Sequence, residues 1–191
     1  MAKTESTFIN MTVTLVAVTL LAAGLLGTVF ALTKEPIRLA ELKKKNEAIA
    51  VVVHGFDNEP SQELERIFMD GDSIYLYTAR KGDELLGTAV ETFTNNGFSG
   101  NFKLMVGFDP HGSIIDIAVI KHAETPGLGD KMEQDKSDFH VQFMGKDPTN
   151  FNIAVTKDRG EVDAITASTI TSRAYCDAVN RAYSALNQIQ Q

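Results

Sequence analysis

At 191 residues and a net charge of −7, the chain has room for one membrane segment and one soluble domain of roughly 140 residues, large enough for its own core. Residues 1–45 carry six Lys or Arg against three Glu, a net of +3, which leaves −10 for the remainder. So acidic a domain lacks the basic footprint that nucleic acid or an anionic lipid surface requires, and the single cysteine, Cys176, permits no internal disulfide.

A short tail, 1–7, precedes a run of 25 residues, 8–32, without a charged side chain. About 20 apolar residues cross a bilayer as a helix, whereas a cleavable signal peptide has an apolar core of only about 7–15. The run is therefore expected to be a retained transmembrane anchor, with Val29-Phe30-Ala31 as the alternative, a small-residue cleavage site. Helical composition continues over 33–50 as a stalk, with Leu39, Leu42 and Ile49 as contacts and Lys43-Lys44-Lys45 on its surface.

Residues 51–191 read as one α+β domain built on an antiparallel sheet. β-branched and aromatic residues predict strands at 74–77, 85–93, 102–108 and 114–120, with Asp109-Pro110-His111-Gly112 as a hairpin turn. A short helix over 132–143 and a strand over 152–156 follow. The closing helix, 173–190, carries Tyr175, Val179, Ala182, Tyr183, Leu186 and Ile189 at spacings of three and four, one buried face.

Two stretches carry chemistry. Immediately before the closing helix stands Asp163-Ala164-Ile165-Thr166-Ala167-Ser168-Thr169-Ile170-Thr171-Ser172, small and hydroxyl residues at a helix N-terminus. Unpaired backbone N–H groups and the positive end of the helix dipole favour an anion there, although Ser and Thr are equally good helix caps without any ligand. About forty residues earlier lies His122-Ala123-Glu124-Thr125-Pro126-Gly127-Leu128-Gly129-Asp130-Lys131. Pro126 pre-sets its φ and Gly127 and Gly129 permit a tight path, so this backbone can approach a flat ring, or simply form a surface turn. A third stretch, Asn96-Gly97-Phe98-Ser99-Gly100, reads as a turn that leaves an aromatic, Phe98, without an assigned place.

Other chemistries lack their residues. His54, His111, His122 and His140 have no metal-ligand spacing, and neither a Gly-x-Ser-x-Gly elbow nor a phosphate-binding Gly-x-x-x-x-Gly-Lys-Ser/Thr loop is present, so neither a metal site nor hydrolase or kinase activity is expected.

The two stretches resemble the signatures of a flavoprotein family, the FMN-binding domain shared by the G component (RnfG) of Rnf-type ion-translocating oxidoreductase complexes and the C component of sodium-translocating NADH:quinone reductases. Asp163, Thr166, Ala167, Ser168, Thr169 and Thr171 fill the flavinylation pattern, with Ala167 where the family commonly has Gly. The resemblance implies FMN joined to Thr169 through a phosphoester, with Asp163, Thr166, Ala167 and Ser168 shaping the site read by a flavin transferase. It also implies that Glu124, Thr125, Gly127, Leu128 and Gly129 line the flavin. Thr169 would then be an acceptor hydroxyl, and no catalytic residue is expected.

By the same resemblance, the chain is a single-pass component of an inner-membrane electron-transport complex that couples ferredoxin and NAD redox chemistry to ion movement. Its partners would be the other redox subunits. Chain length favours the G component of the Rnf type over the longer C component of the quinone reductases. The resemblance puts the flavin domain on the periplasmic or outer face, against the positive-inside rule, because Lys34, Arg38, Lys43, Lys44 and Lys45 all follow the span. The expectation from another class is a membrane-anchored ligand- or partner-binding module without electron transfer, in which Thr169 only caps a helix.

Overall fold

The computed structural model describes residues 7–69 and 71–189. Most of the expected N-terminal tail and Gln190, the expected end of the last helix, lie outside the described residues. The chain divides into two units, Met1–Lys43 and Lys44–Gln191.

In the first unit, helix α1 (Phe8–Val52, which runs on into the second) is long and apolar enough to cross a membrane, and its apolar residues face outward on every side. Thr12, Thr14, Thr19, Thr28 and Thr33 would be costly in lipid if their hydroxyls were unsatisfied. Each donates instead to the carbonyl four residues back, at 2.7–2.9 Å. Pro36 sits inside the helix, just beyond the uncharged run, and removes one backbone donor there.

In the second unit, five strands form an antiparallel meander in the order β1-β2-β3-β4-β5: β1 Leu64–Met69, β2 Asp72–Lys81, β3 Glu84–Gly97, β4 Gly100–Phe108 and β5 Ile114–Lys121. Alternation along the strands sorts side chains to two faces. On one face, Ile74, Leu76, Leu104, Val106, Phe108 and Ile117 pack beneath helix α2 (Thr169–Ile189), which contributes Tyr175, Val179, Ala182 and Leu186. On the other, Tyr77, Ala79, Ala89, Met105 and Ala118 meet Ala48, Ile49 and Val52 from the end of α1 and Val53 just beyond it. Gly107 makes that approach feasible: a Cβ there would lie 2.2 Å from the Val52 carbonyl oxygen. On this face the buried Glu91 carboxylate is held by Lys45 at 2.8 Å, Lys103 at 3.5 Å and the Tyr77 hydroxyl at 3.0 Å. Burial, reinforced by Glu91, pushes the Tyr77 phenol well above its ordinary range.

Strands β2 to β5 lie where the residue pattern predicts them, whereas α2 begins at Thr169, four residues before the expected 173, so that Thr169 to Ser172 form its first turn. Strand β1 is an addition to that pattern, an edge strand, mostly exposed and held by backbone pairing to β2. The helix expected over 132–143 is replaced by two 3-10 turns, Gly129–Met132 and Phe139–Phe143. Their apolar residues are fixed by tertiary packing, with the Phe139 and Phe143 rings 5.1 and 5.3 Å from that of Tyr175. The strand expected over 152–156 reduces to a single bridge, Val155 to Val162.

Candidate functional site

Three chain segments converge at one end of the sheet: the β3–β4 turn, the loop that leaves β5, and the start of α2. They enclose a cleft of about 310 Å³ lined by Phe98, Glu124, Thr125, Leu128, Gly129 and the run from Ala167 to Thr171. The two sequence stretches thus form one site, joined by an aromatic from a third.

Glu124 joins the segments. Its side chain is only 5% exposed; Oε1 accepts from the Ser99 backbone N–H at 3.1 Å and Oε2 from the Thr171 hydroxyl at 2.9 Å. Close glycines permit this. A Cβ at Gly97 would come within 2.7 Å of Oε1, and one at Gly129 within 2.6 Å of Oε2. The loop itself turns through Thr125-Pro126-Gly127-Leu128, closed by the Leu128 N–H to the Thr125 carbonyl at 3.2 Å, with Gly127 at φ +78°. Pro at the second position and a left-handed Gly at the third are the requirements of a type II turn.

Behind the loop, His122 Nδ1 accepts from the Glu124 N–H at 3.0 Å while its Nε2 meets Glu133. The Nδ1 atom is therefore unprotonated and the Nε2 atom carries the hydrogen. Lys136 bridges Asp130 at 3.0 Å and Glu133 at 3.2 Å. Lys136 holds the Asp130 carboxyl below its usual range. Burial raises Glu133, but hydrogen bonds from His122 and Lys136 outweigh it and bring the group below its usual range.

At the helix start, the first α-helical hydrogen bond runs from the Ser172 N–H to the Ser168 carbonyl at 3.0 Å, so the N–H groups of Thr169, Ile170 and Thr171 precede it. The Ser172 hydroxyl donates to the same carbonyl at 2.9 Å and accepts from the Ile165 N–H at 2.9 Å, which fixes the turn before the helix. Ala167 occupies that turn at φ +62°, the left-handed region in which a glycine would be unstrained. Thr169 is partly buried, and its Oγ1 accepts from Lys157 Nζ at 3.2 Å.

Of the expected residues, Thr169, Glu124, Thr125, Leu128, Gly129, Ala167 and Ser168 line the cleft. Gly127 shapes the loop without lining it. Asp163 and Thr166 border a separate recess of about 330 Å³ with Lys131 and Gln142, and the Asp163 N–H donates to Gln142 Oε1 at 2.8 Å. Phe98, Ile170 and Lys157 reach the site although sequence reasoning does not assign them to it, and Thr171, a member of the flavinylation pattern, also lines the cleft. Phe98 and Thr171 stand in recognised stretches, whereas Lys157 carries no sequence signal. Cys176 is buried and its thiol is pushed up to about 12 by burial, so it is not a nucleophile here. Among the described residues, no group of three or more His, Cys, Asp or Glu could hold a metal ion.

The FMN-binding domain family matches residues 97–184, which contain all three cleft segments. Similar proteins include the G component of the ion-translocating oxidoreductase complex of Vibrio cholerae, 32% identical over 179 residues, covering 89% of this chain and 86% of that protein. The corresponding protein of Yersinia pestis is 38% identical over 84% of this chain and 81% of its own length, and that of Erwinia tasmaniensis is 44% identical over 56% and 52%. With such identity along most of both lengths, this chain belongs to the family of the ion-translocating oxidoreductase complex G components and carries an FMN-binding domain.

Proposed function

We propose that this chain is a membrane-anchored flavoprotein subunit of an Rnf-type complex, relaying electrons through FMN attached covalently to Thr169. The carrying observation is that Thr169 lines one cleft together with Glu124, Thr125, Leu128 and Gly129 of the loop after β5. The residues present fit the group. About 310 Å³ lies within the usual range for a ligand pocket, about 300–1,000 Å³. Phe98, Leu128 and Ile170 supply exposed apolar surface suited to a flat ring, and the first turn of α2 supplies N–H donors suited to a phosphate. FMN supplies one- and two-electron chemistry; the protein supplies position and electrostatics.

Attachment needs a flavin transferase and an FMN donor activated at phosphorus. The Thr169 Oγ–P bond replaces the bond from phosphorus to the donor's leaving group, and the hydroxyl proton departs with that group. The chain gains FMN less one water. Ser168, Ala167 and the Ser172 hydroxyl hold the turn that presents Thr169, while Glu124, Thr125 and Gly129 shape the opposite wall.

The segment 8–32 serves as the anchor, with 33–50 as a stalk and 51–191 as the flavin domain. The relatives are named for a complex, and in this reading electrons pass to and from neighbouring subunits, between ferredoxin and NAD. The flavin domain faces the periplasm, where partner subunits outweigh the basic residues that follow the span.

Coexpression with a flavin transferase tests the reading. Denaturing gels are expected to show flavin fluorescence that Thr169→Val abolishes, and the peptide containing Thr169 is expected to gain the mass of FMN less water. A colourless product of unchanged mass, made beside a control protein that the same transferase loads, overturns it.

A further inference from the structure

Lys157 stands on a short 3-10 turn, Thr156–Asp158, in a loop built to hold its position against the start of α2. The Thr156 N–H donates to the Val162 carbonyl at 2.8 Å, the Gly160 N–H to the Val155 carbonyl at 3.1 Å, and Asn152 Nδ2 to the Arg159 carbonyl at 3.1 Å. Gly160 has no room for a side chain, since a Cβ would fall 1.9 Å from the Ala154 carbonyl oxygen. The loop is pinned to α2 by a two-pronged ion pair: Arg173 Nε and its terminal nitrogen reach the two oxygens of Asp158 at 2.6 and 2.7 Å.

That ion pair also divides the charges. Asp158 and Arg173 satisfy each other, the Asp158 carboxyl lying below its usual range and the Arg173 guanidinium above its own. The neighbouring ammonium, Lys157 Nζ, turns instead to Thr169 Oγ1 at 3.2 Å. A threonine hydroxyl can do without a cation; a phosphate joined to it would carry its negative charge on the two non-bridging oxygens. Were Oγ1 an ester oxygen, the flexible four-carbon stem of Lys157 would let its ammonium turn from Oγ1 to those oxygens. In a chain of net charge −7, a local cation offsets that added charge.

We propose that Lys157 is the cation that holds the phosphoester on Thr169, acting with the N-terminal amides of α2 as a two-sided clamp. The assignment rests on the reading of Thr169 as the flavin attachment point. Lys157 is a positioning residue: it touches the tether and leaves the redox chemistry to the ring. Its role predicts a preference for a phosphate-linked adduct over a neutral one.

The test compares the full chain in detergent as wild type, Lys157→Gln, Lys157→Arg and Lys81→Gln, each with and without loading by transferase. Lys81 lies on β2, exposed and outside the cleft, so its substitution controls for net charge. Phosphorus NMR of the loaded proteins is expected to show a shifted resonance in Lys157→Gln and wild-type positions in the other two. The rise in thermal midpoint on loading is expected to shrink by about 2 °C in Lys157→Gln, a surface charge pair being modest. A Lys157→Gln chain that resists loading while Lys157→Arg loads normally supports the assignment equally. If Lys157→Gln matches Lys81→Gln in loading, resonance and midpoint, the clamp is wrong while covalent FMN stands. If Lys157→Arg fails as Lys157→Gln does, a cation is not what the site needs. Wild type that gains no mass on Thr169 removes both the attachment and the clamp.

Discussion

The carboxylate of Glu124 and the hydroxyl of Thr171 meet at 2.9 Å across 47 positions of sequence, and this contact ties the loop after β5 to the first turn of α2. The other Glu124 oxygen takes the Ser99 N–H, so one buried side chain secures all three walls of the cleft. Glu124→Ala would leave both donors without their acceptor, at about 1–3 kcal/mol by denaturant unfolding. Glu124→Gln keeps most of the shape but removes a negative charge from the cleft wall. Reduction adds negative charge to the bound flavin, so the midpoint potential is expected to rise, on the order of tens of mV, in a spectroelectrochemical titration. A potential equal to wild type would show that Glu124 only braces the walls.

Ala167 adopts φ +62°, the left-handed region in which a glycine would be unstrained. A left-handed L-residue costs roughly 1–2 kcal/mol, while introducing Gly costs about 0.4–1 kcal/mol through the unfolded chain. Ala167→Gly is therefore expected to be neutral or stabilising by up to about 1.6 kcal/mol. Ala167→Val, β-branched at positive φ, is expected to lose more than Ala167→Gly gains, and to slow flavin loading because the turn before Thr169 moves. Urea unfolding and fluorescence of loaded chains read the two effects.

Much of this architecture is legible in the sequence, and the gaps have physical causes. Strands β2 to β5 announce themselves through their β-branched and aromatic residues, β3 and β4 being buried on both faces, and α2 through one apolar face that recurs every three to four residues. Strand β1, Leu-Glu-Arg-Ile-Phe-Met, shows no such face because an edge strand half in solvent is specified by backbone pairing rather than burial. Residues 122–168 follow neither period; Met132, Phe139, Phe143 and Ile153 are placed by long-range packing that local propensity does not encode. The site divides the same way. Two walls are visible as compact motifs, but Phe98 and Lys157 reach the cleft and Thr169 only through chain reversals of the sheet and of the Val155–Val162 bridge.

The charges behind the loop give a pH dependence. Asp130 and Glu133 both have depressed carboxyl pKa values in the folded chain, Asp130 chiefly through Lys136, Glu133 because hydrogen bonds from His122 and Lys136 exceed its burial cost. A group with a folded pKa below its unfolded value adds stability above the unfolded pKa, and that stability is lost as pH falls through the folded pKa. The ordinary values are 3.8 and 4.5, so the contribution is complete near neutrality and decays below about pH 4. Lys136→Met is expected to flatten the decline in stability between about pH 5 and 3 relative to wild type. Parallel curves for the two proteins would mean that Lys136 contributes nothing to the loop.

Cys176 makes the orientation measurable. Buried in α2 with its thiol pushed up to about 12, it is expected to stay unlabelled by a maleimide near neutral pH unless the chain is denatured. The natural chain is thus nearly silent, and a cysteine added on the surface supplies the signal. Glu84 lies exposed at the start of β3, outside the cleft. In intact cells bearing the complex, Glu84→Cys is expected to react with a membrane-impermeant maleimide supplied from outside, as a periplasmic domain requires. Labelling that appears only after the inner membrane is opened would place the domain in the cytoplasm, where Lys34, Arg38 and Lys43 to Lys45 alone would direct it. Flavin loading would then have to occur on that side.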